Sequence, residues 1–271
     1  PEVTSRWLSI DPLAKEFPSW SPYVFANDNP IFFNDPTGAS GEATIDKESK
    51  TITVTSIFAF YGGSSTPELA RQYAKSIQDS YNNANGRVMV DGVRYRVKFD
   101  IKGIAASEVA GDNGDLAAKV AMADNTDIRK NFVRLENWTN TQTGASYSDD
   151  PELLGCNTGY WSVCQNEESG GTTTSHEYNH SLGGLNHPEK VNPNGVDLDA
   201  KPSIDMTILS YNFANPLYRT ENEEGRIILD VSNRSVQQKN IDALFKSEVV
   251  NQLKNEGKAD IGRLTNKYHP K

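Results

Sequence analysis

Three of the four histidines in this 271-residue chain lie within one short segment, which runs from His176 to His187. The segment begins with the pattern His-Glu-x-x-His at 176–180. Residues four apart lie on the same face of an α-helix, so His176 and His180 would present both imidazoles to one metal ion. Glu177 would then lie beside the metal without binding it, and this pattern is typical of zinc peptidases.

His187 is the third candidate ligand, because Gly183 and Gly184 predict that the helix ends and that the chain turns back. Three neutral imidazoles with an open fourth position are typical of catalytic rather than structural Zn²⁺. Glu177 would be the general base, taking a proton from a zinc-activated water and passing it to the leaving amine. The alternative is a group of surface or core histidines that bind no metal.

The elements around this segment predict a mixed α+β fold. Hydroxyl side chains at 172–175 would cap the zinc helix. The other predicted elements are a hairpin (43–60), a helix from Pro67 with a stripe at Leu69, Tyr73, Ile77 and Tyr81, a second hairpin turning at Asp91-Gly92, a possible helix (114–123), a strand (131–138), a long loop (139–171) and a late helix (233–256).

Composition excludes some functions. The net charge of −9 disfavours nucleic acid as a partner, because the phosphate backbone would be repelled. No apolar run approaches the roughly 18–20 residues of a membrane span. Cys156 and Cys164 are equally compatible with a small disulfide and with two thiols, whereas their spacing is unusual for zinc. The acidic pairs at 149–150 and 167–168 are expected to be solvated loop charges.

The first 38 residues resemble the end of an RHS/YD-repeat core. Four motifs occur in the family's order: Arg6-Trp7-Leu8-Ser9-Ile10-Asp11-Pro12-Leu13, Ser19-Trp20-Ser21-Pro22-Tyr23, Asn27-Asp28-Asn29-Pro30 and Asp35-Pro36-Thr37-Gly38. The resemblance implies that residues 1–40 are the tail of such a core, followed by a toxin domain at 41–271. Some members release the toxin by self-cleavage, but the sequence after Gly38 departs from the family, so no catalytic role is assigned to Asp11 or Asp35.

The histidine segment resembles the metzincin metallopeptidases, whose pattern is HExxHxxGxxH followed by a turn that contains methionine. His176, Glu177, His180 and Gly183 are in register, whereas His187 comes one residue late. Gly184 would absorb the extra residue as a bulge. If it does not, the third ligand would be a downstream carboxylate, for which the candidates are Glu189, Asp197 and Asp199.

The segment 207–211, Thr-Ile-Leu-Ser-Tyr, resembles the family's methionine turn. Leu209 occupies the methionine position, and Leu and Met have similar volumes. The resemblance implies that Tyr211 binds zinc at rest or donates a hydrogen bond to the oxyanion. An ordinary core tyrosine is the equal alternative.

Together these features predict a metzincin-like α+β metallopeptidase with a mixed, mostly N-terminal sheet, a zinc-binding helix and a C-terminal helix. The expected function is a zinc-dependent endopeptidase that cleaves a protein or peptide. As an RHS toxin it would be a bacterial effector, secreted or delivered into a neighbouring cell, and neutralised by an immunity protein.

The alternatives are a zinc amide hydrolase with a non-protein substrate and a non-enzymatic toxin or binding module. The predicted strand at 131–138 favours a peptidase if it is an edge strand, because an edge can pair with an extended substrate.

Overall fold

An eight-stranded mixed sheet is the centre of the molecule. The structure, a computed structural model, describes residues 40–137, 146–149, 155–185, 219–221, 225, 227–229 and 234–271. The strands of the sheet are β1 (Gly41–Asp46), β2 (Thr51–Tyr61), β3 (Arg87–Val90), β4 (Val93–Ala105), β5 (Lys130–Glu136), β6 (Tyr147–Ser148), β7 (Thr158–Ser162) and β10 (Lys258–Ile261). A separate pair is formed by β8 (Arg219–Glu221) and β9 (Ile227–Leu229).

Strands β2, β4, β5 and β7 run parallel, and β2 lies between β4 on one side and β1 and β5 on the other. The predicted hairpins are confirmed: β1 pairs antiparallel with β2, and β3 with β4. Asp91 (φ 51°) and Gly92 (φ 76°) supply the two positive φ angles that the β3–β4 turn needs. The sheet remains mostly N-terminal, as predicted, but β10 brings a C-terminal strand to its β1 edge.

The strand predicted at 131–138 is β5, and the expectation that it is an edge strand is wrong. It pairs with β2 on one side and with β7 on the other. Its side chains are accordingly buried along nearly its whole length, as parallel strands covered on both faces require. The edge strand on this side of the sheet is β6, which runs antiparallel to β7.

Helices cover the sheet. They are α1 (Pro67–Asn83), α2 (Ala106–Ala110), α3 (Gly114–Ala123), α4 (Val163–Glu168), α5 (Thr172–Ser181), α6 (Gln238–Leu244) and α7 (Ser247–Glu256), with a short 3₁₀ turn (Gly111–Asn113). Helix α1 begins as predicted, because the Thr66 side chain accepts a hydrogen bond from the Leu69 N–H and Pro67 occupies the first turn. Of its predicted stripe, Tyr73, Ile77 and Tyr81 are buried, and Leu69 packs half-buried against the core.

Two predicted segments differ from the structure. The segment predicted as a loop at 139–171 contains β6, β7 and α4. These elements are short, so the local sequence alone does not reveal them. The two strands are held by pairing, β7 with β5 and β6 with β7. The single late helix predicted at 233–256 is two helices, because Phe245 leaves the helical region with ψ 59°. The fold is therefore mixed α+β, as predicted at that level.

Cys156 and Cys164 form no disulfide with each other. The Cys156 thiol is buried and donates to the Thr158 carbonyl at 3.4 Å. No helix in the described ranges has the length and apolar character to cross a membrane.

Candidate active site

Helix α5 carries the His-Glu-x-x-His motif and lies almost wholly inside the molecule. The predicted capping by hydroxyls at 172–175 is wrong, because the helix already begins at Thr172 and follows Gly171 in a left-handed conformation. Side chains from the preceding turn satisfy its first N–H groups instead. The Ser169 hydroxyl accepts from Thr173 N at 3.1 Å, and the Asn166 amide oxygen accepts from Thr174 N at 3.1 Å.

The two helix histidines converge as the spacing predicts. The Nε2 atoms of His176 and His180 lie 3.2 Å apart, and the ring planes are nearly perpendicular at 87°. Two nitrogens bound to one tetrahedral zinc at about 2.0–2.1 Å are about 3.3 Å apart. The observed separation therefore fits two ligands of one zinc ion, and it also fits a single N–H···N hydrogen bond between a donor and an acceptor imidazole.

Glu177 is buried between the helix and the edge strand, with 5% of its surface exposed. Ser148 of β6 is its neighbour: the Ser148 hydroxyl lies 2.8 Å from the Glu177 carbonyl oxygen and 3.3 Å from the carboxyl Oε2. Burial raises the pKa of the Glu177 carboxyl to about 7, against the lowering effects of the Ser148 hydrogen bond and of the Arg234 charge. A carboxyl in this range suits general-base chemistry near neutral pH.

Tyr178 fixes the rotation of the helix about its axis. Its ring is fully buried against Phe58, Tyr81 and Phe99. Its hydroxyl lies 2.7 Å from the Ser56 hydroxyl, which in turn donates to the Ser40 carbonyl. Because Tyr178 points into the core, the two histidines, at −2 and +2 from it, must lie on another face of the helix.

The end of the helix is built from two glycines with different tasks. Gly183 has φ 69° and its N–H donates to the His180 carbonyl, while Gly184 N donates to the Asn179 carbonyl, which together form a Schellman motif. A Cβ on Gly184 would lie 2.5 Å from the Asn179 side-chain oxygen. The Asn179 amide also donates to the Leu185 carbonyl at 3.0 Å, so it holds the chain as it leaves the helix toward His187.

The remaining predicted site residues lie outside the described residues. They are His187, its alternatives Glu189, Asp197 and Asp199, and the turn residues Leu209 and Tyr211. Among the residues that the structure does describe, His176 and His180 are brought together, and no group of three or more His, Cys, Asp or Glu side chains is placed to hold a metal ion. The predicted tail segment 1–38 lies outside them as well.

Sequence reasoning missed the residues that support the site from a distance. Asp149, expected to be a solvated charge, is instead nearly buried and pairs with His269. Ser148 and Asn179 gave no signal either, since one lies in a segment predicted to be a loop and the other is an unspecified position of the motif. Ser148 and Asp149 are placed by contacts with residues far away in the sequence, whereas Asn179 contacts Gly184 and Leu185 just beyond the helix.

Comparison of the chain with protein-family models, with curated proteins and with solved structures finds no match. The function must therefore be argued from the site.

Proposed function

We propose that this chain is a zinc-dependent endopeptidase. The observation that carries the proposal is the convergence of the His176 and His180 Nε2 atoms, whose 3.2 Å separation matches two ligands of a tetrahedral zinc. Glu177, between them in the sequence, adds the carboxyl that a hydrolytic site needs. Zinc bound there would supply Lewis acidity, which polarises a carbonyl group and lowers the pKa of a coordinated water to about 7.

Each residue of the site has its own role in the proposed reaction. His176 and His180 would hold the metal, and His187 is the proposed third ligand because the Schellman turn reverses the chain just before it. Glu177 would accept a proton from the attacking water and deliver it to the leaving amine. Tyr211 is proposed to donate a hydrogen bond to the oxyanion, which rests on the metzincin resemblance alone.

A peptide substrate is favoured by the position of β6. This strand is at the edge of the sheet, and its Ser148 touches Glu177. No other strand in the described part of the chain pairs with its outer edge. An extended peptide can add to such an edge through main-chain hydrogen bonds, which would bring its scissile bond to the zinc helix.

The order of the elements is compatible with the metzincin resemblance. A long early helix, α1, is followed by parallel strands, then by the helix with the motif, and finally by helices near the C-terminus. The proposed biological role, a toxin delivered by an RHS protein and neutralised by an immunity protein, rests on the sequence resemblance of residues 1–38. It predicts that expression of residues 41–271 inside bacteria is toxic and that Glu177→Gln relieves the toxicity.

The decisive experiment compares the wild type with Glu177→Gln and His187→Ala. Zinc is measured by elemental analysis, and hydrolysis with a quenched fluorescent protein substrate. We expect about one zinc in the wild type and in Glu177→Gln, with hydrolysis lost by roughly 10²–10⁴-fold in the latter because only the general base is removed. His187→Ala should lose most of its zinc.

Four outcomes would redirect the proposal. A wild type without zinc contradicts it. Zinc that persists in His187→Ala moves the third ligand to Glu189, Asp197 or Asp199. Zinc without cleavage of any protein, together with cleavage of small amides, favours the alternative of an amide hydrolase. If Glu177→Gln keeps its toxicity, a non-enzymatic toxin is favoured.

A further inference from the structure

The edge strand β6 contacts two different parts of the molecule with alternate side chains. Successive residues of a strand point to opposite faces, so Tyr147 and Asp149 share one face and Ser148 takes the other. The contacts follow this rule. Ser148 touches helix α5, whereas Tyr147 and Asp149 both touch His269 near the C-terminus. The short strand therefore links the zinc helix to the end of the chain.

Among the described residues, the hydrogen bonds of the Ser148 side chain are all to α5. Its hydroxyl lies 2.8 Å from the Glu177 carbonyl oxygen, 3.3 Å from the Glu177 carboxyl and 3.2 Å from the Ser181 hydroxyl. The bond to the carbonyl fixes the backbone of Glu177 relative to the edge of the sheet. The contact with the carboxyl constrains the side chain itself, so both ends of Glu177 are held by one residue.

The opposite face of the strand is anchored by what we call the C-terminal clamp, formed by Asp149, His269 and Lys267. Asp149 accepts from His269 Nε2 at 2.5 Å and from Lys267 Nζ at 3.0 Å. The backbone of His269 is itself tied to the sheet, because its N–H donates to the Tyr61 hydroxyl and its carbonyl accepts from Arg134. His269 is only 6% exposed, so the clamp is part of the interior.

A glycine allows the strand to lie this close. Ser148 is opposite Gly159 in the β6–β7 register, and a Cβ on Gly159 would lie 2.7 Å from the Tyr147 carbonyl oxygen. The absence of a side chain there lets β6 approach β7, and the Asp149 N–H completes the pairing with the Thr158 carbonyl at 2.9 Å. Strand, glycine and clamp together set the distance between Ser148 and Glu177.

From these contacts we propose that Ser148 is a positioning residue for Glu177, and that the C-terminal clamp holds Ser148 in place. The inference rests on the proposed function, since it concerns the residue assigned there as the general base. Ser148 acts through Glu177: its hydroxyl contacts the carboxyl and the backbone of that residue, and it has no proposed contact with the substrate. Its effect is to keep the Glu177 carboxylate in the orientation in which it can accept a proton from the attacking water.

The first test compares the full chain with Ser148→Ala, with Ser148→Thr, which keeps the hydroxyl on a strand-compatible side chain, and with Ser107→Ala as an exposed serine control on α2. We expect Ser148→Ala to lower kcat about 10-fold or more, in the range of other residues that orient catalytic groups, with zinc content and KM unchanged. Ser148→Thr should recover most of the rate, and Ser107→Ala should match the wild type. A kcat for Ser148→Ala within twofold of the wild type overturns the positioning role.

The clamp is tested with His269→Ala. We expect its kcat to fall with zinc retained, and amide hydrogen exchange at Asp149 to become faster because the β6–β7 pairing loosens. Unchanged exchange at Asp149 contradicts the clamp.

These tests separate the inference from the proposed function. A wild type without zinc or hydrolysis contradicts the function alone. In that case hydrogen exchange in His269→Ala still decides the clamp, and crystal structures of the wild type and Ser148→Ala decide the positioning role. A displaced Glu177 side chain in the variant supports that role, and an unmoved one refutes it.

Discussion

Two side-chain pairs that contain histidine differ greatly in the length of sequence that separates their partners. His176 and His180 are four residues apart on one helix, whereas His269 and Asp149 are 120 apart and meet only in the folded molecule. Helix periodicity alone brings the first pair together, and the tertiary fold is needed for the second. The spacing of the first pair suits two ligands of one metal ion, and the second pair anchors β6, whose Ser148 contacts Glu177 on the helix that carries the first pair. Substitutions in the two pairs should therefore have different effects on zinc content and on stability.

The largest effect is expected from His180→Ala. Loss of one of the proposed ligands should reduce zinc from about one equivalent to nearly none and hydrolysis to background. The unfolding free energy of the metal-free protein should change little, because His180 is only half-buried. Elemental analysis and urea unfolding in the presence of a chelator measure the two quantities. Full retention of zinc in this variant would contradict the metal site.

The opposite pattern is expected from His269→Ala. The variant should retain zinc, but it should lose about 2 kcal/mol of unfolding free energy, which is in the range for removing one partner of a buried hydrogen-bonded group, because Lys267 still donates to Asp149. Urea unfolding measures the loss. If this variant loses zinc as His180→Ala does, the two pairs are not separate, and the comparison between them fails.

The same contrast explains what the sequence could predict. The hairpin turn at Asp91-Gly92, the start of α1 at Thr66-Pro67 and the convergence of His176 with His180 all depend on residues within a few positions of each other, and all three agree with the structure. Local spacing fixes local geometry, so a single sequence is enough.

The errors have one physical origin, which is pairing between distant segments. β5 was expected at an edge, yet β7 lies beside it, and β7 belongs to a segment without a strand pattern of its own. Asp149 was expected to be solvated because the sequence around it gives no indication of its partner. That partner, His269, lies near the C-terminus. Residues 166 and 169 cap α5, in place of the hydroxyls inside it, because a turn folds them back onto its first N–H groups.

A smaller effect is expected at the end of helix α5, where the contributions of the two glycines to stability can be measured separately. Gly184→Ala should lower the free energy of unfolding by about 2 kcal/mol, because its Cβ would lie 2.5 Å from the Asn179 side chain in a closely packed site. Gly183→Ala should cost about 1 kcal/mol, the cost of a left-handed conformation for a residue with a Cβ. Denaturant unfolding provides both values.

A double-mutant cycle identifies the cause of the Gly184 effect. In an Asn179→Ala background, Gly184→Ala should cost much less, because the atom that it would meet is gone. Additive costs would show that Gly184 is required for its backbone conformation and not for the space that Asn179 occupies.

The smallest effect is the pH dependence contributed by the clamp. Burial raises the pKa of the Asp149 carboxyl, but the hydrogen bonds from His269 and Lys267 and the His269 charge outweigh it, so the pKa is lowered overall. A carboxyl whose pKa is lowered by folding stabilises the protein above its unfolded pKa, about 3.9 for Asp, and loses that contribution as the pH falls toward the folded value.

We expect Asp149→Asn to lower the free energy of unfolding by about 1 kcal/mol at neutral pH, because the substitution weakens a charge-assisted hydrogen bond. Measured by urea unfolding, the difference from the wild type should shrink as the pH falls below about pH 4, since the wild type then loses the same charge. A difference that persists to pH 2 would mean that the shape of the clamp, rather than the charge of Asp149, holds the edge strand against helix α5.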